Sequence, residues 1–209
     1  KFADVAAFGT LMLLGDVDGL NGIRSAFEDT GRSFLKGRQT VDLIFTMQER
    51  IVPKSKVPYL RTYVLCGVRP ENKPDFPNYL GLIGDEIEKY ESPITAVLRA
   101  LKKKAGIDAT LENNLNEPAI ITIKTDNKPV IAELRFLQLY NGERLAGTQG
   151  GSSQAFQINI MGSPSMFNKV LKNSIFSFKP VYEVLEQTLA YEQSAMLRDA
   201  VNKLNHYAR

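Results

Sequence analysis

Residues 81–107 read GLIGDEIEKYESPITAVLRALKKKAGI, and the way this stretch folds decides the architecture. Ser92 is an N-cap residue type, and Pro93 suits the first helical position, where its missing N–H is not needed. A helix is predicted from there, because Ile94, Val97, Leu98, Leu101 and Ala105 recur at steps of three and four and form one apolar stripe. Gly106 supplies the left-handed conformation that commonly ends a helix. Ala100, Lys103 and Lys104 are expected on a second face beside that stripe. The preceding run, Tyr79-Leu80-Gly81-Leu82-Ile83-Gly84, is strand-like, so the segment reads as strand, loop, helix. The lysines also have a plain structural reading, since cations in a last turn offset the negative end of the helix dipole.

The same stretch resembles the Nudix box, G-x5-E-x7-R-E-U-x-E-E-x-G-U with U apolar. With the first box glutamate on Glu91, the residues Arg99, Leu101, Gly106 and Ile107 fall where the pattern asks. That register puts Asp85 at the box glycine, Ala100 at the glutamate after the arginine, and Lys103 and Lys104 at the metal-binding glutamate pair. The resemblance implies an α/β fold, a Nudix-like α/β/α sandwich with a mixed sheet. It also implies that Glu91, Arg99 and Gly106 are a structural frame, the arginine pairing with the glutamate to tie loop to helix.

What the register lacks is equally informative. Magnesium needs oxygen ligands, carboxylates among them, and two ammonium groups cannot replace these. The expectation is therefore a catalytically inactive protein with no catalytic residue, no metal and no other cofactor. Lys102, Lys103 and Lys104 become candidate ligand-binding residues that would hold a phosphate by direct charge-assisted hydrogen bonds. RNA, a nucleotide or a role as scaffold in a complex would follow. Two alternatives stay open. One is an active hydrolase of nucleoside-diphosphate-linked substrates that recruits Mg through Asp85, Glu86, Glu88 and Glu91, with Glu133 as base. The other is a structural subunit of a larger assembly.

Composition sets the remaining bounds. With 209 residues, 44% of them apolar, the chain can bury a substantial core and is expected to form one domain with extensions. A net charge of +3 permits a polyanionic partner without demanding one. A single cysteine, Cys66, excludes an internal disulfide and any cysteine-cluster metal site, and favours a reducing, intracellular compartment. No apolar run is long enough for a membrane span, and the opening KFADVAAFGTLMLLGD lacks the plan of a signal peptide. Targeting information upstream of Lys1 would be invisible here.

Outside the box, an N-terminal β-α-β extension is expected over 1–52: a strand at Gly9–Leu14, a helix at Leu20–Phe27, and a strand at Val41–Met47. Asp16-Val17-Asp18-Gly19 reads as a turn rather than a calcium loop, because the later ligands do not follow. The Nudix-like domain is placed at 53–179, with strands at Val57–Val68, Ala119–Lys124, Val130–Tyr140 and Ala155–Met161. Arg69–Asn78 and Asn141–Ser153 read as loops. The latter is rich in glycine and serine but lacks the lysine of a phosphate-binding P-loop. Residues 180–209 are expected to form a long C-terminal helix, because Val181–Tyr207 carries apolar residues at helical spacing with no glycine or proline. Such a helix, continuous or with a break, would either offer a surface to a protein partner or to a second copy, or pack on the sheet as a core helix. His206, without a second histidine, makes no metal site.

Overall fold

The computed structural model describes residues 38–54, 57–113, 118–142 and 151–207. The expected elements at Gly9–Leu14, Asp16–Gly19 and Leu20–Phe27 lie outside these residues, as does the middle (143–150) of the expected loop Asn141–Ser153, whose two ends are strand rather than loop. The elements in chain order are β1 (Arg38–Ile51), β2 (Tyr59–Val68), β3 (Leu80–Gly81), β4 (Ile83–Glu86), α1 (Pro93–Ala100), β5 (Ala109–Asn113), β6 (Ala119–Ile123), β7 (Val130–Gly142), β8 (Gly151–Met161), β9 (Phe176–Pro180), α2 (Val181–Leu185) and α3 (Gln193–Tyr207). A π-helical turn (Leu101–Ala105) continues α1, and 3-10 turns occupy Pro164–Phe167 and Ala190–Glu192.

The strands form one mixed sheet in the order β9-β2-β1-β8-β7-β6-β5. β1 runs parallel to β8 and antiparallel to β2 and β4. Both partners on the second side share one edge of β1: Thr46–Ile51 pair with β2, whereas Thr40–Leu43 pair with β4. β2 thus leaves β1 part-way along, and the β3–β4 segment fills the gap.

β1 has core on both faces, as a central strand should. Val41, Leu43, Phe45 and Met47 point to the side covered by α1, together with Phe156, Ile158 and Ile160 of β8. Ile44 points to the opposite side, with Val64, Cys66 and Ala155, under Val181, Val184, Met196, Leu197 and Ala200 of α2 and α3. The layers are therefore helix, sheet, helix. Residues 38–51, assigned by sequence to an extension, are the middle of this sheet. Cys66 is a buried small hydrophobe whose thiol is pushed up to about 11 by burial.

α1 begins as its sequence dictates: the Ser92 side chain accepts from the Thr95 N–H at 3.1 Å and Pro93 opens the first turn. Ala96, Val97, Leu101 and Ala105 are buried against the sheet. Full burial of Val97 and Leu101 contributes about 1.5 to 3 kcal/mol each. Gly106 closes the segment at φ 74°.

A further expectation is corrected. Ala100 is 1% exposed and belongs to the core rather than to a face shared with Lys103 and Lys104. The cause is the π turn, which fits an extra residue into one turn and rotates everything after Ala100 relative to an ideal helix. Of the forms open to the C-terminal segment, the broken helix is the one adopted. Between α2 and α3, Leu189 is buried and bridges to Leu80, and Tyr191 takes a left-handed conformation at φ 53°. These tertiary contacts override a good helical pattern. α3, about 22 Å long at 1.5 Å per residue, packs through Met196, Leu197 and Ala200 on the sheet instead of projecting from it. Among the described residues, no helix is long and apolar enough to cross a membrane. The side chain of His206 lies outside the described residues.

Candidate functional site

Where β1 and β2 part, a cleft of about 410 Å3 opens beside the end of α1. Its walls come from β1 (Asp42), β4 (Gly84, Asp85), the π turn (Lys104), the loop after β2 (Arg69, Lys73) and the α3 entry (Tyr191, Gln193).

Arg99 organises one side. Its Nε and one terminal nitrogen hold the two carboxylate oxygens of Glu91 at 2.8 Å each. The same terminal nitrogen also donates to the Glu86 carbonyl, and the other lies 2.7 Å from Asp85 Oδ2 and 3.5 Å from Glu88 Oε1. The expected tie between Glu91 and Arg99 is present, and it fixes the whole 85–91 loop to α1. Arg99 keeps Glu91 below the usual carboxylate range through this hydrogen bonding.

Asp85, at the position of the box glycine, is the hub of the lysine cluster. Lys103 Nζ is 3.3 Å from Asp85 Oδ2, and Lys104 Nζ is 3.9 Å from Oδ1 while donating to the Gly84 carbonyl. Burial opposes ionisation of Asp85, but Lys104, Lys103 and Arg99 outweigh it and hold its carboxyl below the ordinary value. Lys104 is itself pushed down by burial, against the pull of Asp85 and Asp42. Both lysines of this helix end are therefore matched by one carboxylate from β4. Lys102 stands apart, 3.2 Å from Asp108.

Three of the loop carboxylates of the hydrolase alternative, Asp85, Glu88 and Glu91, converge on the Arg99 guanidinium. Asp85 and Glu91 are held by Arg99, and the Glu88 side chain is 67% exposed. Glu133 lies on β7 beside Arg135, whose Nε donates to it at 2.8 Å, and it does not line the cleft. Among the described residues, no three acidic, histidine or cysteine side chains are placed to hold a metal ion.

The sequence reading missed Asp42, at the floor of the cleft. It is 4% exposed and accepts hydrogen bonds from Ser153 Oγ at 2.6 Å and from Gln193 Nε2. Gln193 also accepts the Leu82 N–H at 2.8 Å, so one amide joins α3, β1 and the β3–β4 junction. Gly84, the cross-strand partner of Asp42, must be glycine, because a Cβ there would lie 2.5 Å from Asp42 Oδ1. A charged residue in the middle of the apolar run Val41-Asp42-Leu43-Ile44-Phe45 was the available signal.

Burial raises the Asp42 pKa, so this group opposes folding increasingly as pH rises from its unfolded value near 3.9 through the raised folded value. Asp42→Asn keeps the shape and both hydrogen bonds, since the Ser153 hydroxyl can turn to accept. It is expected to melt at or above the unaltered protein at pH 7. Asp42→Ala leaves the Gln193 amide without its acceptor and is expected to cost about 2 to 4 kcal/mol. A large loss of melting temperature in the Asn variant would show that the ionised form is required.

No protein-family model and no curated protein matches the chain by sequence. Solved structures do match in three dimensions. A mutT/nudix family protein from Listeria innocua is 16% identical with a TM-score of 0.52, over 81% of this chain and 95% of that one. The NUDIX domain of Shewanella oneidensis NrtR, solved with ADP ribose, is 18% identical at 0.53, over 83% and 92%. Shewanella oneidensis NrtR itself is 18% identical at 0.55, over 82% of this chain and 65% of its own. At such identities the shared property is architecture: this chain has a Nudix-like fold.

Proposed function

We propose that the chain is a non-hydrolytic binding protein that takes a nucleotide or another phosphate-bearing ligand in the cleft beside α1. The observation that carries the reading is the charge reversal at the end of that helix. Lys104 is seated on the Gly84 carbonyl and, with Lys103, against Asp85. A divalent cation brought to this corner would find Asp85 already held by Lys103, Lys104 and Arg99, and would have to displace them to gain an oxygen ligand. A phosphate needs no metal where cationic side chains that line the cleft can meet its oxygens directly. The comparisons add support of a general kind, since a NUDIX domain of this fold was solved with ADP ribose and NrtR was solved with a 27mer DNA.

Calorimetry tests the reading with ADP-ribose, inorganic pyrophosphate and a short single-stranded RNA, each in EDTA and in magnesium. ADP-ribose or pyrophosphate is expected to bind equally well in both, and no ligand is expected to be cleaved above background. Magnesium-dependent turnover that disappears in Glu88→Gln would establish the loop-carboxylate hydrolase instead. Binding of RNA alone would move the site to a more extended surface. Failure of all three ligands would favour a scaffold role.

A further inference from the structure

We infer that the anionic group of that ligand is held by Arg69, seconded by Lys73, rather than by the lysines of the α1 end. This assignment rests on the cleft-binding reading above and names its recognition residues. The lysines are already engaged: Lys103 and Lys104 face Asp85, and Lys102 faces Asp108. Arg69 is different. Its Nε and one terminal nitrogen donate to the Asp75 carbonyl at 3.1 and 3.0 Å, and that nitrogen also donates to the Tyr191 hydroxyl at 2.7 Å. Its guanidinium lies 4.7 Å from the centre of the Tyr191 ring. All these partners are neutral. They fix the side chain without cancelling its charge, and the second terminal nitrogen makes no hydrogen bond among the described residues.

The surroundings are built to hold this group. The stem of Arg69 lies along Gly81, where an added Cβ would be 3.5 Å from its Cγ. Its backbone accepts the Asn78 N–H at 3.1 Å and donates to the Tyr79 carbonyl at 2.9 Å, closing the loop that carries Lys73. Phe76, Asn78 and Tyr191 all take left-handed conformations, at φ 50°, 64° and 53°. The Phe76 and Tyr191 rings meet at 4.8 Å. Non-glycine residues rarely adopt such angles, and clusters of them concentrate at ligand clamps. Here the strain converges on one arginine. A guanidinium pre-set in this way, across the cleft from Lys104, suits a phosphate oxyanion.

The test is calorimetric titration of the full chain in EDTA with ADP-ribose and with pyrophosphate. Arg69→Gln and Lys73→Gln are compared with Lys124→Gln, which removes the same charge beside Asp108, outside the cleft. Arg69→Gln is expected to weaken both ligands about ten- to a hundredfold, Lys73→Gln a few-fold, and Lys124→Gln not at all. Arg69→Lys, which keeps charge but loses the fork, should recover part of the loss. Pyrophosphate and ADP-ribose weakened equally would place the contact on phosphate, whereas loss confined to ADP-ribose would place it on the nucleoside and overturn the assignment. Unchanged affinity in a folded Arg69→Gln variant also overturns it while leaving the cleft reading intact. No binding by the unaltered chain overturns both. Should Arg69→Gln fail to fold, Lys73→Gln decides, and full affinity there counts against the assignment.

Discussion

Replacing Arg99 with Ala is expected to destabilise the fold by about 2 to 4 kcal/mol, the largest effect of any single change in the box frame. The side chain is 24% exposed and its two main partners, Glu91 and Asp85, are 10% and 18% exposed, so the network lies between a surface pair and a buried one. Surface pairs contribute about 1 kcal/mol or less, whereas breaking a buried pair costs about 3 to 5 kcal/mol. Truncation would also strip the Glu86 carbonyl of its donor and free the 85–91 loop. For a domain of this size the melting temperature should fall by roughly 4 to 16 °C. The acid limb gives a second readout. Asp85 and Glu91 both have lowered pKa values in the fold. Their stabilisation is therefore present above the unfolded carboxylate range, near pH 4, and is lost as pH falls through the folded values. In Arg99→Ala that dependence should flatten. Arg99→Lys should restore only part of the loss, because a point charge cannot grip Glu91 with two nitrogens while reaching Asp85. An unchanged melting temperature would contradict the structural role of the pair.

The box segment was readable because its signals are local. Ser92, Pro93 and Gly106 act within one turn, and the Glu91–Arg99 pair spans one loop and one helix. Strands β1, β2, β6, β7 and β8 were likewise carried by apolar runs bounded by turns. β5 was missed because Ala109–Asn113 offers only a weak alternation, and β9 because Phe176–Pro180 reads as the approach to a helix. The break at Leu189–Tyr191 depends on Leu80, Phe76 and Arg69, all more than 100 positions away in sequence, and no periodicity reports such contacts. The cleft was hidden for the same reason. Arg69 ends a strand before a proline-rich loop and looks like any solvated cation, and only the folded chain sets it against Tyr191. The lysines looked like a free basic face because Asp85 lies 18 positions before Lys103, where a pairing rule based on one helix does not look.

Exchanging Lys103 and Lys104 together for Glu is expected to convert the corner from metal-indifferent to metal-dependent. In the unaltered chain both ammonium groups face Asp85, and Lys104 also donates to the Gly84 carbonyl. The double variant would gather three carboxylates and that carbonyl in one place, with Arg99 the nearby cation. Without metal, two attractions are lost and like-charge repulsion replaces them, for a loss of about 1 to 3 kcal/mol at pH 7. Crowded carboxylates have raised pKa values, so the metal-free variant should regain stability as pH falls towards 5, opposite to the acid behaviour of Asp85 in the unaltered chain. The cluster now offers the oxygen ligands that magnesium or manganese needs. At a hundredfold excess over its Kd, the ion would add about 2.7 kcal/mol and bring the melting temperature back to or above the starting value. The unaltered chain should show no such response. Hydrolysis is not expected to accompany the rescue, because Ala100 is buried without a carboxylate and Asp85 still stands in place of the glycine. Thermal melts of both proteins in EDTA and in manganese decide the matter. A double variant whose melting temperature ignores the metal would show that the helix end does not present these positions to a common point, and the charge-reversal argument for a non-hydrolytic cleft would fall with it.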